Sequence, residues 1–198
     1  MGADSERTRQ TILRAARDVI ALCGYPAATF QQIAQRAGVS RPTLHYYFDT
    51  RDHVYETLVR DVHAQITACI ATAQQHEEPR GQLVAFTESV ENLCREDPGA
   101  LRFLVTIQVE QHRGAHRSAT AEAVIAAIHA FYDGLADSLA GAAPGDDRRG
   151  LADLLSSVFW GIAFHAGFVA RDGDGSMVAM QLLNTFDANL LMSQSNAR

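Results

Sequence analysis

Eleven residues near the N-terminus concentrate side chains that can form hydrogen bonds with another molecule. The stretch GVSRPTLHYYF, residues 38–48, holds one Arg, one Thr, one His and two Tyr, and only Val39, Leu44 and Phe48 are spaced to be buried together. An Arg guanidinium can fork onto a guanine edge, and hydroxyl and imidazole groups can reach bases or phosphate oxygens. The residues of this stretch that build no core are therefore candidates for contacts with nucleic acid.

Two helices are predicted before this stretch. The first carries an apolar stripe at helical spacing, made of Ile12, Ala16, Val19 and Cys23. Gly24 closes that stripe. The second begins at Thr29, because Thr29 and Gln32 have the spacing of a capping box, in which each side chain binds the other residue's backbone N–H. Its apolar residues are Phe30, Ile33, Ala34 and Ala37, and Gly38 stops it.

A third helix follows a three-residue corner at 38–40. Ser40 is a good N-cap, and Pro42 is tolerated in the first turn because amides there have no partner within the helix. A helix, a tight turn with Gly and a second short helix are the parts of a helix-turn-helix reader, which puts the start of its last helix in a major groove. The alternative, that the His and the two Tyr are half-buried packing residues, fits the cap, corner and stripe signals less well.

The residues of this region carry a family resemblance. The segment TFQQIAQRAGVSRPTLHYYFDTR, residues 29–51, resembles the DNA-binding signature of TetR-family transcriptional regulators. The resemblance covers roughly the first quarter of the chain. It implies an all-helical homodimer whose N-terminal domains bind a palindromic operator on double-stranded DNA and whose C-terminal domains hold a small-molecule inducer. Repression is the usual mode of that family.

The resemblance also implies roles for single residues. Base contacts are implied for Gln31, Arg41, Pro42, Thr43 and Tyr46, and phosphate contacts for Thr29, Ser40, Tyr47 and Arg51. His45 stands where a Tyr is common, and Arg51 stands where a Lys is common. Arg51 keeps the cation, whereas His45 makes its predicted phosphate contact pH-sensitive.

Composition and charge divide the chain in the same way. The 198 residues are 47% hydrophobic and 20% charged, which is typical of a globular protein. Residues 1–53 hold seven Arg against five acidic residues, whereas the remainder holds ten Arg against 18. A modestly basic head on an acidic body lets one local face meet phosphate. We therefore predict a helix-turn-helix DNA-binding domain at 1–53 and a ligand-binding and dimerisation domain at 54–198.

Beyond residue 50 the pattern predicts helices throughout. Breaks are expected at 76–80, at 97–99, around 114, at 141–147 and at 172–175, which leaves six further helices. No run of strands at hairpin spacing appears in the sequence. The predicted fold class is all-α, with an N-terminal three-helix helix-turn-helix domain followed by a larger helical bundle.

The last two predicted helices, at 151–170 and 177–192, are apolar on most of their faces. A helix that is apolar all round must be covered on every side, which favours contact with a second subunit. The predicted dimer interface comprises Leu155, Ile162, Ala166, Val169, Leu182 and Phe186. The alternative is that both helices belong to the core of one chain.

A ligand pocket is predicted in the body from its apolar and aromatic residues. The candidates are Phe86, Phe103, Ile107, Phe131, Trp160 and Phe164, with Glu110, Gln111 and His165 as polar groups that orient a ligand. A residue of each of these types is more often part of the core than in contact with a ligand. This composition favours an apolar or amphipathic inducer, acyl-like or polycyclic.

Other motifs indicate little chemistry, and we expect neither a metal nor a cofactor. His112 and His116 lie four residues apart, but Gly114 falls between them without a third ligand, so we interpret both as solvated surface. The three cysteines are expected to be free thiols. The stretch 172–176 begins like a calcium loop, but its twelfth position is Leu183 where a Glu is required.

Two other function classes compete with a regulator. An enzyme is disfavoured because the sequence contains no nucleophile elbow, phosphate-binding Gly loop or metal set. An adaptor that uses its first helices for protein contacts would leave the arginines without phosphate partners. The densest apolar run, 158–170, is thirteen residues long where a membrane span needs about 20, so we expect a cytoplasmic protein.

Overall fold

The computed structural model describes residues 2–97, 99–114, 116–140 and 145–169, and their regular elements are all helical. The helices are α1 (Ala3–Cys23), α2 (Phe30–Ala37), α3 (Arg41–Tyr47), α4 (Arg51–Ala73), α5 (Pro79–Glu96), α6 (Gly99–Arg113), α7 (Ala119–Ala140) and α8 (Gly145–Phe164). A π-helical turn, His165–Val169, continues α8. The predicted all-α fold class, a three-helix head followed by a helical body, is confirmed.

The head, α1 to α3, packs as its sequence pattern predicts. Ile12, Ile33, Leu44 and Phe48 are almost fully buried and join the three helices. Cys23 is exposed, contrary to its predicted place in the apolar stripe of α1. The stripe continues through buried Ile20 instead, since Ile20 lies one helical turn beyond Ala16 and faces the same side.

The body, α4 to α8, shares its core with the head. Helix α4 packs against α1 as well as against α5, α6 and α7, and one contiguous cluster of buried apolar residues extends from α1 to α8. Helix α4 also runs without interruption across the predicted domain boundary between residues 53 and 54. The division 1–53 and 54–198 stays a prediction.

The predicted breaks agree with the structure except at their edges. Helix α5 already begins at Pro79, and α8 begins at Gly145, inside the predicted break at 141–147. The last predicted helix, with Leu182 and Phe186, and the stretch 172–176 lie outside the described residues.

A close backbone contact fixes the C-terminal end of the described body against α6. The Nε of Arg102 donates a hydrogen bond to the carbonyl of Gly167, in the π-helical turn. A Cβ added to Gly167 would lie 2.9 Å from the Cα of Arg102, which is closer than real Cβ atoms approach a backbone. Only a glycine lets the turn lie this close to α6.

Two helical stretches, Ala119–Ala140 and Arg148–Val169, are long and apolar enough to cross a membrane by length and composition alone. The sequence prediction considered only the second of them. Core helices of soluble proteins pass the same test, and both stretches pack against other helices here. These two weak signals do not indicate a membrane protein.

Candidate nucleic-acid interface

Side-chain caps fix the start of both helices of the helix-turn-helix. The Oγ1 of Thr29 accepts a hydrogen bond from Gln32 N at 3.2 Å, and Thr29 N donates to Gln32 Oε1 at 2.8 Å, so the predicted capping box is confirmed. The Oγ of Ser40 accepts from Thr43 N at 3.1 Å and lies 2.7 Å from the Thr43 hydroxyl. Gly38 turns the corner in the left-handed region, at φ 68° and ψ 26°.

Helix α3 presents side chains to solvent from its first residue to its last turn. Arg41, Pro42 and His45 are exposed, and Tyr46 is 81% exposed, which is unusual for a large aromatic side chain. Gln31, on α2, is exposed as well. These predicted DNA-binding residues therefore lie on the outside of the two short helices.

Two further residues of the predicted set are half-buried. Thr43 and Tyr47 lie partly within the head, where Tyr47 packs against its core. The ring of Tyr47 meets the edge of Tyr46 at 5.1 Å, and His45 meets the ring of Phe30 at 4.8 Å in an edge arrangement. The rings of α3 thus support one another and hold His45 close to α2.

Arg51 is bound inside the protein, which the sequence analysis did not predict. Its Nη1 donates to the carbonyls of Pro26 at 3.2 Å and Ala28 at 2.9 Å, and its guanidinium lies 4.3 Å from the centre of the Tyr25 ring. These contacts tie the first turn of α4 to the loop between α1 and α2. Arg51 therefore holds the head together, whatever else its remaining N–H groups contact.

A cluster of two buried tyrosines and one half-buried histidine, called here the seam, joins that loop to the body. It consists of Tyr25 in the α1–α2 loop, Tyr55 on α4 and His116 in the α6–α7 loop. The ring of His116 lies 4.4 Å from Tyr25 and 5.1 Å from Tyr55. The prediction that His116 is solvated surface is wrong, whereas His112 is indeed exposed. The sequence gives no signal that His116 contacts the two tyrosines, because this contact depends on the path of the α6–α7 loop.

Burial dominates the electrostatics of the seam. It raises the pKa of Tyr25 to about 12, and the hydrogen bond that the Tyr25 hydroxyl donates to Asp52 adds to this. Burial likewise raises the pKa of Tyr55 above its ordinary value, and the nearby Glu56 and Glu110 carboxylates add to this. Both phenols are therefore neutral at physiological pH.

Only some of the predicted pocket residues come together in the body. The ring of Phe86 lies 4.6 Å from that of Phe131, and Phe159 and Tyr132 complete an aromatic cluster with them. Phe159 and Tyr132 were not predicted, although both lie on apolar helix faces. Trp160 adjoins the cluster, with its ring 5.3 Å from that of Phe159.

The other predicted pocket residues lie elsewhere. Phe103 contacts Tyr55 of the seam, and Glu110 lies against Gly24, where a Cβ would be 2.8 Å from its Oε1. Gln111 donates a hydrogen bond to the Ser118 carbonyl at 3.2 Å. Two further candidates differ in exposure: Ile107 is fully buried, whereas Phe164 is 51% exposed and stacks on Phe168.

The predicted dimer residues form a gradient along α8. Leu155 is buried, Ile162 and Ala166 are half-buried, and Val169 is 52% exposed. The last part of α8 and the π-helical turn thus present apolar surface to solvent.

The head matches a known family. Residues 12–58 match the model for bacterial regulatory proteins of the tetR family. The match covers about a quarter of the chain and identifies this region, not the whole chain, as similar to that family. The matched residues run from the buried Ile12 of α1 through the capped helix-turn-helix to Leu58 of α4, so they contain all of the exposed side chains described on α2 and α3.

Two kinds of relative resemble this chain. The transcriptional repressor LfrR of Mycolicibacterium smegmatis is 39% identical over 74 residues, which are 37% of this chain and 38% of LfrR. The match thus spans less than half of that relative. A TetR-like regulator from Rhodococcus sp. RHA1 has the same fold, with a TM-score of 0.69, 19% identity, and coverage of 91% of this chain and 96% of that one. AibR, solved in complex with isovaleryl coenzyme A and operator DNA, aligns with a TM-score of 0.68 and 14% identity, covering 90% of this chain and 97% of AibR.

Proposed function

We propose that this protein is a transcriptional repressor in the cytoplasm that binds a palindromic operator as a homodimer and is released by a small apolar inducer. The observation that carries the proposal is the exposed outer face of α3. Its backbone is fixed by the Ser40 cap, while Arg41 and Tyr46 extend into solvent. A rigid helix start with an exposed Arg suits the reading of base edges in a major groove.

The relatives support the same function. LfrR, which is 39% identical to this chain over 74 residues, is a repressor, and AibR, which has this fold, was solved with isovaleryl coenzyme A and operator DNA. An enzyme or an adaptor remains the second class of function, but neither explains an 81% exposed Tyr46 beside Arg41 on a capped helix.

Arg41 and Arg51 provide a test of base reading. Arg41 is exposed, so Arg41→Ala should relax sequence preference at one operator position, at a cost of about 1–3 kcal/mol for the preferred base. Arg51 is held by two carbonyls, so Arg51→Ala should weaken binding to all sequences alike and also lower stability. Binding is measured by salt titration on duplexes selected from a random pool.

A control separates base reading from general electrostatics. Arg36 is exposed and paired with Asp18 at 2.8 Å, so Arg36→Ala removes one head cation without touching α3. It should leave the sequence preference unchanged. The assignment of Arg41 is refuted if Arg41→Ala, like Arg36→Ala, retains the full sequence preference of the parent protein.

The homodimer is supported by exposed apolar side chains at the end of the body. Leu154, Phe164, Phe168 and Val169 are 47%, 51%, 43% and 52% exposed. An isologous interface would cover such a patch from two copies at once. Phe164→Glu should give monomers by light scattering, and Leu22→Glu, at an 89% exposed position on α1, should leave the dimer intact. Two dimeric variants would place the interface elsewhere.

The inducer site is supported by buried polar atoms near the aromatic cluster. Trp160 Nε1 and His165 Nδ1 are buried, and neither has a hydrogen-bond partner in the described structure. A ligand with a polar group among apolar ones would satisfy them. Apolar compounds that raise the melting temperature should bind the operator complex more weakly than the free protein. Because linkage is reciprocal, the factor should equal the one by which the compound weakens operator binding. Equal binding to both forms would refute induction.

A further inference from the structure

The α6–α7 loop inserts one histidine between two aromatic rings that belong to different parts of the fold. His116 contacts Tyr25, which follows α1 of the head, and Tyr55, which lies on α4. The two tyrosine rings also contact each other, with centres 4.4 Å apart. The imidazole therefore joins the body's own loop to both segments that carry the helix-turn-helix.

The Nε2 atom of His116 is buried, and none of the described residues hydrogen-bonds to it. The nearest carboxylate is that of Glu56 on α4, with its Oε1 at 3.9 Å from Nε2. On the same side of the body, Glu110 on α6 lies against Gly24, and its Oε2 also has no partner among the described residues. Burying such atoms is costly, so a contact that retains them needs a reason beyond packing.

We propose that His116 is a positioning residue which, through Tyr25, Tyr55 and Glu56, fixes the orientation of the head on the body and so sets the affinity of the head for DNA. The proposal rests on the proposed function. It adds a second connection between head and body, beside helix α4 itself. Two heads bind successive major grooves on one face of DNA only at a defined spacing, about 34 Å. A head held at the seam is oriented before binding, which lowers the entropic cost of association.

The charges around His116 decide how the seam responds to protons. The charged groups nearby are Arg51, Asp52 and Glu56 of α4 and Glu110 of α6. The phenols do not titrate near neutral pH, because burial raises both of their pKa values. Imidazole is the side chain that ordinarily changes its charge between about pH 5 and 8. The Nε2 of His116 faces the Oε1 of Glu56 at 3.9 Å, so a positive charge on this imidazole would attract the loop to α4.

The test compares wild type, His116→Phe and His116→Ala in DNA titrations between pH 8 and pH 6. Phenylalanine keeps a ring against the tyrosines, so its affinity should equal that of wild type at pH 8. At pH 6 it should fall below wild type by up to about threefold, the full worth of one partly exposed ion pair, because the pair adds to DNA affinity only in so far as some free molecules lack it. Alanine loses the ring contacts as well and should bind about fivefold more weakly even at pH 8. The duplex is one selected from a random pool by the wild-type protein.

Two further variants isolate the cause. Glu56→Gln removes the carboxylate while keeping His116, and it should lose the same pH-dependent part of the affinity. His112→Phe replaces an exposed histidine at the end of α6 and should behave as wild type at every pH. The result is expressed as the ratio of each variant's DNA affinity to that of wild type at the same pH. Protonation of the other histidines affects all of these proteins alike, so it cancels in the ratio.

Hydrogen exchange of the head amides, measured without DNA, gives a second readout. Lowering the pH should slow exchange in α2 and α3 of wild type relative to His116→Phe, while α7 exchanges alike in both after correction for intrinsic rates. If wild type binds DNA, and both His116 variants match it in DNA affinity and in head exchange at pH 8 and at pH 6, the role of His116 is refuted and the proposed function stands. If no protein binds DNA, the proposed function fails, and the exchange ratios alone decide whether the seam holds the head.

Discussion

Gly24 should be the position in the head that least tolerates a side chain. Its backbone has φ 78° and ψ 157°, a region that only glycine adopts readily. A Cβ would also lie 2.8 Å from the Oε1 of Glu110. Glu110 is only 3% exposed, so its carboxylate has little room to move away.

The expected cost of Gly24→Ala has two parts. The strained backbone costs about 1–3 kcal/mol, and forcing a methyl group into an occupied space costs about 1–3 kcal/mol more. We therefore expect a loss of about 3 kcal/mol in the free energy of unfolding. Urea denaturation followed by circular dichroism measures it, with an unchanged m-value indicating that the unfolded state is unaffected.

Gly38 provides the matched control. It also has a positive φ, 68°, but no atom lies within 4 Å of its Cβ position. Gly38→Ala should thus cost only the backbone part, about 1 kcal/mol. In the double variant Gly24→Ala with Glu110→Ala, the combined cost should be smaller than the sum of the single costs, because the clash is gone. Equal costs at Gly24 and Gly38 would refute the reasoning.

Three other changes have defined outcomes. Thr29→Ala removes the cap of α2 and should lower the free energy of unfolding by about 1 kcal/mol in urea denaturation. Burial raises the pKa of Cys69 and of Cys94 to about 11, so at pH 8 both stay thiols, and a disulfide reagent should rapidly titrate one thiol per chain, that of Cys23. Cys23→Ser should abolish this fast reaction. Gly167→Ala places a Cβ 2.9 Å from the α6 backbone and should destabilise by about 2 kcal/mol, measured in the same way.

The head could be predicted from the sequence because its signals are local. The capping box at Thr29, the cap at Ser40 and the corner at Gly38 each depend on residues within four positions. Arg51 shows where such reasoning ends. Its charge and place in the motif indicate phosphate, whereas its carbonyl partners lie 23 and 25 residues away in the chain.

The seam and the aromatic cluster could not be predicted for the same physical reason. Tyr25 and His116 are 91 positions apart and meet only because the end of α6 lies against the start of the α1–α2 loop. The apolar pattern of α6 does not predict which of its faces meets which neighbour either, since the helix is buried around most of its circumference. Residue type alone suggested Phe103 and Glu110 as pocket residues, whereas Phe103 contacts Tyr55 and Glu110 lies against Gly24.

These contacts bear on how a ligand in the body would reach the DNA. Helix α4 begins only four residues after α3 ends, and Phe48 between them is buried in the head core, so a tilt of α4 must move α3. Arg51 and Asp52 bind the α1–α2 loop, so the same tilt moves α1 and α2 as well. The head should therefore respond as one rigid unit, with α4 as its lever and the seam as a second attachment. A ligand that shifted α4 without moving the α6–α7 loop would have to separate Tyr55 from His116. The free energy of this contact would then be part of the cost of releasing the DNA.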